Sequence, residues 1–166
     1  MLEPLEIVRH RLIRQRLAGD RFDKVVDVVR WLVAVQAQEI AEAMWSLAER
    51  TESSGHADVE AAFDRGEFIR THALRPTWHF LATEDVRWVL RLTRPRVHVL
   101  NRYMYRKLEL DADVLLRSNE VLARTLGDNG PRTRRELADD LDAAGIRAEG
   151  LRLGYVLMHA ELEEVV

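Results

Sequence analysis

The sequence contains no cysteine. Disulfides, iron–sulfur clusters and thiolate zinc sites are therefore excluded. Lysine is nearly absent too: only Lys24 and Lys107 among 25 basic residues, the others being arginine. No apolar run approaches the roughly eighteen residues that span a bilayer, and Met1-Leu2-Glu3-Pro4 lacks a secretory pattern. A cytoplasmic location with no membrane partner is expected. Phosphate loops, dinucleotide fingerprints and nucleophile elbows are missing. The histidines at 10, 56, 72, 79, 98 and 159 include no i,i+4 pair with a glutamate companion, so neither a metal nor another cofactor is expected. What remains is a 166-residue chain, 47% hydrophobic and 32% charged. That composition suits one compact globular domain or two very small ones.

The net charge of −3 conceals an uneven distribution. Residues 65–107 carry ten basic side chains against Glu67, Glu84 and Asp85, a balance of +7. Residues 136–166 carry eight acids against Arg147 and Arg152, a balance of −6. A basic middle and an acidic end suggest that one part of the surface faces a polyanion. Genome composition would produce the same preference for arginine.

Periodicity is mostly helical. Leu5, Val8, Leu12 and Ile13 form one apolar stripe; Val25, Val28, Val29, Leu32 and Val33 form a second, with Asp23 placed to cap it. Ile40, Met44, Leu47 and Ala48 predict a third helix, stopping before Thr51-Glu52-Ser53-Ser54-Gly55. A fourth, near Asp58–Arg65, ends at Gly66, a natural C-cap. The period then changes to two. Residues 67–73 and 77–81 alternate around Leu74-Arg75-Pro76 and predict a β-hairpin. Helical spacing resumes at Glu84 with Thr83 as cap, and Pro95 is expected to interrupt or restart that segment. Another helix runs from about Asp113 to Leu126. Thr133-Arg134-Arg135-Glu136 is a capping box opening a helix to Ala143, and Leu151–Leu162 supplies the last. Glu163-Glu164-Val165-Val166 reads as the entry to a strand. The fold class is mainly α with a small β-hairpin (α+β), in an order that matches tandem winged-helix (helix-turn-helix) units. The first would occupy residues 1–110, with its hairpin near 68–81. The second would occupy 111–166 and stop before its wing.

Three groups could carry chemistry. Gln36 and Gln38 flank Ala37, between the second and third helices. In a helix their side chains would diverge by about 200°, whereas in extended chain they share a face. Two carboxamides are useless as strong bases, yet they orient water and stabilise positive charge through hydrogen bonds. Two ordinary polar residues at a helix junction fit the spacing as well. The hairpin carries Arg70, His72, Arg75, Thr77 and His79, suited to the phosphate backbone or minor groove of double-stranded DNA; a solvated hairpin explains them equally. Arg132, Arg134 and Arg135 surround a helix N-terminus, where backbone amides favour an anion. Simple capping with surface charge is the competing explanation.

Taken in order, four motifs resemble one family. They are Val35-Gln36-Ala37-Gln38-Glu39, Phe68-Ile69-Arg70-Thr71, Leu74-Arg75-Pro76-Thr77-Trp78-His79-Phe80, and Gly130-Pro131-Arg132-Thr133-Arg134-Arg135-Glu136-Leu137. The family is the tandem winged-helix DNA-binding family containing the AlkZ and YcaQ DNA glycosylases. Arg14-Gln15-Arg16-Leu17 and His159-Ala160-Glu161-Leu162-Glu163 are similar as well, so the resemblance covers nearly the whole chain. It implies removal of alkylated bases, of the N7-alkylguanine type, from DNA without a cofactor. It also implies that Gln36 and Gln38 correspond to the catalytic glutamine pair of the AlkZ branch. The family's usual Arg-Gly-Thr is Arg75-Pro76-Thr77 here, and its members run about twice this length. A non-catalytic DNA-binding protein or regulator is the alternative reading.

Overall fold

The computed structural model describes residues 3–52 and 55–166; Met1, Leu2, Ser53 and Ser54 lie outside them. Two compact units are present, Met1–Thr71 with Thr77–Val86 and His72–Pro76 with Arg87–Val166.

In the first unit, α1 (Pro4–Arg14), α2 (Val25–Leu32), β1 (Val35–Gln36), α3 (Ile40–Ala48) and α4 (His56–Asp64) precede β2 (Phe68–His72, whose last residue belongs to the other unit) and β3 (Trp78–Ala82). The strands form one sheet in the order β1-β3-β2. Its core joins Val25, Val28 and Val29 of α2, Met44 and Leu47 of α3, and Val59 of α4 to Phe68 and Phe80. Phe68 and Phe80 meet edge to face, with centroids 5.1 Å apart, the arrangement that ring quadrupoles favour.

Two local expectations change. Lys24, not Asp23, is the N-cap of α2, and its side chain makes no cap bond. Phe22 is held extended by a parallel bridge to Thr51, its N–H donating to the Arg50 carbonyl at 2.9 Å, so the chain turns helical only beyond Lys24. The apolar stripe of α1 forms as a helix yet buries no residue, and Leu5 is 82% exposed. The attachments of α1 lie at its C-terminal end. Trp31 Nε1 donates to the Arg14 carbonyl and Arg50 Nε to the Gln15 carbonyl, at 3.2 and 2.8 Å.

The second unit contains α5 (Val86–Lys107, whose first residue belongs to the other unit), α6 (Ala112–Asn129), α7 (Arg134–Ala143) and α8 (Gly150–Leu162). Leu115 and Leu122 of α6, Leu137 and Leu141 of α7, and Val156 and Leu157 of α8 build its core. Pro95 lies inside α5 without breaking it. An internal proline costs roughly 3 kcal/mol. Val89, Leu90 and Val97 are buried on either side of it, and full burial of such side chains contributes about 1.5–3 kcal/mol each, enough to hold the helix through the proline.

Residues 163–166 are not a strand. The Glu164 amide donates to the Glu161 carbonyl and the Val165 amide to the Ala160 carbonyl, at 3.1 and 2.9 Å. Glu164 has φ 60°. These are the paired bonds of a Schellman cap, with glutamate at the left-handed position that glycine usually takes. Gly66 fills that position after α4, as expected, with φ 71°.

Candidate active site

The glutamine pair is shaped from its N-terminal side by a tight turn. After α2, Val33 adopts φ 63° and ψ −49°, and the Ala34 amide donates to the Leu32 carbonyl at 2.7 Å. That is a γ-turn of the rare, strained hand. It turns the chain directly into β1, where Val35 pairs with Phe80 and Gln36 with His79 across an antiparallel ladder. The Ala37 amide continues the pairing by donating to the Trp78 carbonyl at 2.8 Å. Extended geometry then sorts the side chains by alternation. Ala37 is fully buried in the core, while Gln36 and Gln38 are exposed. Both glutamines line one depression of about 390 Å³, together with Glu39, Glu42, Ala43 and Ser46. Gln38 Oε1 lies 3.5 Å from the Trp78 amide nitrogen, and α3 begins two residues further on.

Arg70 of β2 grips this segment from the side. Its Nε donates to the Ala37 carbonyl at 2.8 Å and its Nη2 to the Gln38 carbonyl at 3.1 Å. The guanidinium carbon lies over the Trp78 ring, 4.3 Å from the centroid. His79 is 3% exposed, and its Nδ1 lies 2.9 Å from the Thr77 carbonyl oxygen. A larger depression in the same unit, about 540 Å³, holds neither glutamine. On its wall Arg30 pairs with Glu84 at 2.6 Å and Arg65 with Glu67 at 2.7 Å.

The other expected residues lie in the second unit. His72 is 5% exposed. Its amide and its Nδ1 both meet Glu161 Oε2, at 2.9 and 2.8 Å, so one carboxylate fixes backbone and ring together. Arg75 is exposed at the hairpin tip, beside Leu74 at φ 63°. At the start of α7, Glu136 Oε2 accepts from the Thr133 amide at 2.7 Å, and the Glu136 amide donates to Thr133 Oγ1 at 3.3 Å. The bond from the Thr133 amide holds the Glu136 carboxyl below its usual range, helped by the Thr133 hydroxyl and by Arg132. Arg134 and Arg135 are exposed and Arg132 is half-buried, with its Nη1 3.5 Å from Glu136.

The model of the family described as "DNA glycosylase AlkZ-like" matches residues 29–166, a span that includes Gln36, Gln38, the hairpin and the start of α7. The chain belongs to the AlkZ-like DNA glycosylase family. No curated protein matches the sequence at a significant level. Among solved structures, the Streptomyces sahachiroi DNA glycosylase AlkZ is similar at 25% identity and a TM-score of 0.75, over 93% of this chain and 43% of that one. The AlkZ-like chain thus spans less than half the length of that relative.

Sequence spacing missed several features of this AlkZ-like chain. Glu39 and Glu42 were visible as neighbours of the glutamines, but their place on the same depression depends on where α3 starts. The inward turn of Arg70 and the stacking of Trp78 had no local signal. Among the described residues, His98, His159 and Glu163 could hold a metal ion, with one ligand atom from each within 4.8 Å of the others. The Glu163 carboxylate there already meets His98 Nε2 at 2.8 Å and Arg94 Nη1 at 3.4 Å. Burial, and secondarily the neighbouring His98, lowers the pKa of His159 below its ordinary 6.5. No helix among the described residues is long and apolar enough to cross a membrane.

Proposed function

We propose that this protein hydrolyses the N-glycosidic bond of alkylated bases, of the N7-alkylguanine type, in double-stranded DNA, with water positioned by Gln36 and Gln38. The observation that carries this reading is the extended Gln36-Ala37-Gln38 segment, which sets two exposed carboxamides on one side of the chain at a common depression. A guanine alkylated at N7 is cationic and leaves with the bonding electron pair as a neutral base. The sugar becomes oxocarbenium-like at its anomeric carbon. One carboxamide oxygen accepts a hydrogen bond from the water and the other stabilises the developing positive charge. The water oxygen bonds to the anomeric carbon and its proton passes to solvent. Glu39 and Glu42, on the same depression, add negative charge that favours the cationic sugar. No metal and no covalent enzyme–DNA intermediate is required.

DNA is held, in this reading, by the hairpin that carries His72, Arg75, Thr77 and His79 and by Arg132, Arg134 and Arg135 at the start of α7, whereas Arg70 turns inward to the Ala37 and Gln38 carbonyls. Exposed Arg75, Arg134 and Arg135 suit direct phosphate contacts. Buried His72 and His79 act by shaping the hairpin that presents Arg75. Residues 1–110 and 111–166 take the roles of two winged-helix modules in this reading, a division that differs from the two compact units, which part at Val86.

Release of 7-methylguanine from alkylated duplex DNA, measured with the longest chain the gene encodes, tests the proposal. Gln38→Ala is expected to slow release by about 10²–10³-fold, with a smaller loss for Gln36→Ala, while both variants bind duplex as before. If the wild type releases no base, or if both variants match it, the glycosylase reading falls and a non-catalytic DNA-binding protein takes its place.

A further inference from the structure

We infer that Arg70 is the positioning residue of the glutamine pair, an inference that rests on the glycosylase reading above. Three observations converge on it. First, the ladder that holds the segment is short. β1 is two residues long, and the bond from the Ala37 amide to the Trp78 carbonyl extends the pairing along one side of the chain. The Ala37 and Gln38 carbonyls lie past the β1–β3 residue pairs. Second, both of those carbonyls accept from one guanidinium, at 2.8 and 3.1 Å. A fork that bridges consecutive carbonyls fixes the two peptide planes that flank the Gln38 Cα, and with them the direction in which the Gln38 side chain leaves the backbone. Such charge-assisted bonds are about twice as strong as neutral ones. Third, the guanidinium has a second contact that restrains it, because its Cζ lies over the Trp78 ring 4.3 Å from the centroid, within cation–π distance. The Trp78 backbone also meets the pair directly, through the Ala37 amide and Gln38 Oε1. Arg70, Trp78 and the glutamine segment thus form one closed arrangement.

Chemistry explains why arginine occupies this place. A lysine ammonium is a point charge without a planar fork, so it cannot hold two consecutive carbonyls in one plane or stack in the same way. The side chain sits on the hairpin, where an arginine would ordinarily be assigned to phosphate. Here two of its donor nitrogens point into the protein. Placement errors near 1 Å cost about 10²-fold in rate when a reacting group must be aimed, so loss of the fork acts on the chemical step.

The deciding variant is Arg70→Lys, which keeps the charge and removes the fork. Single-turnover release of 7-methylguanine at saturating protein is expected to slow about 10²-fold. The dissociation constant for duplex DNA and its slope against salt should stay as in the wild type. In a Gln38→Ala background the same substitution should cost less than about two-fold, because a residue that acts through Gln38 has nothing left to position. Exchange of the Ala37 amide should accelerate in both backgrounds. In Arg70→Gln, which removes the charge, weaker binding with a shallower salt slope at unchanged saturated rate would make Arg70 a phosphate contact and overturn the inference. Equal slowing in both backgrounds would overturn it as well, by showing a general loss of structure. Should Arg70→Lys fail to fold, Arg70→Gln, which keeps one neutral donor, carries the same measurements. A wild type that releases no base removes the glycosylase reading and this inference together, whereas release that survives Arg70→Lys removes this inference alone.

Discussion

Val33 occupies a backbone region that a β-branched side chain enters only at a cost. Its φ of 63° and ψ of −49° place its branched Cβ against the backbone, and such conformations cost of order 1–3 kcal/mol. The strain sits two residues before the β1 ladder and three before Gln36. A relaxed helix end would let α2 run on, and Gln36 and Gln38 would then point to different sides. Glycine takes this conformation without the penalty, although it loses more backbone entropy on folding, by about 0.5–1 kcal/mol. Val33→Gly is therefore expected to raise stability by about 1 kcal/mol, read as a higher urea midpoint with unchanged slope. A lower midpoint would show that the Val33 side chain supplies packing that outweighs its strain. Nothing local announced this turn: Val33 continues the apolar spacing of α2, and its role follows from the ladder between β1 and β3.

At the scale of elements, the best-marked boundary was the start of α7. Thr133 and Glu136 stand three apart before an apolar stripe, and the structure contains the reciprocal bonds that this spacing implies. Thr133→Ala should lower stability by about 1 kcal/mol in urea unfolding, and Thr133→Ser should recover most of the loss. No change with alanine would mean that Arg132, Glu136 and solvent cap the helix unaided. The helices were legible because a 3.6-residue period is written in adjacent residues, and the hairpin because its alternation brackets Pro76. Pro95 misled, since its local cost is overcome by burial further along α5. The final tetrapeptide misled because Val165 and Val166 carry strand propensity, while the Schellman bonds reach back to Ala160 and Glu161.

For the whole molecule, pH and charge set the terms. His159 is half-buried, with its ring centroid 5.2 Å from that of His98. Desolvation and that neighbour both disfavour its protonated form. The unfolded chain takes up a proton near the ordinary value of 6.5, whereas the folded chain resists until lower pH. Stability is consequently complete above that value and declines as the pH falls below it. The urea midpoint should drop between pH 7.5 and 5.5, and His159→Gln should shrink the drop. A midpoint that holds steady or rises on acidification would remove His159 as the source. The positive balance of residues 65–107 falls largely on α5, and much of the negative one on Glu136, Asp139, Asp140 and Asp142 of α7 with Glu163 and Glu164 after α8, so net charge alone describes neither region.

Much of this protein was readable from residues in succession: the helices apart from the continuity of α5 through Pro95, the hairpin, the caps at Gly66 and Thr133, and the family resemblance carried by four separated motifs. Those properties depend on neighbours along the chain, and neighbours are what a sequence displays. Tertiary structure alone decided that Gln36-Ala37-Gln38 is extended, because that choice is made by β3 more than forty residues away. It also decided that Arg70 turns inward to two carbonyls and that His72 is held by Glu161. Each depends on a single contact between distant positions, and one contact of that kind imposes no period, run or spacing on the residues around it.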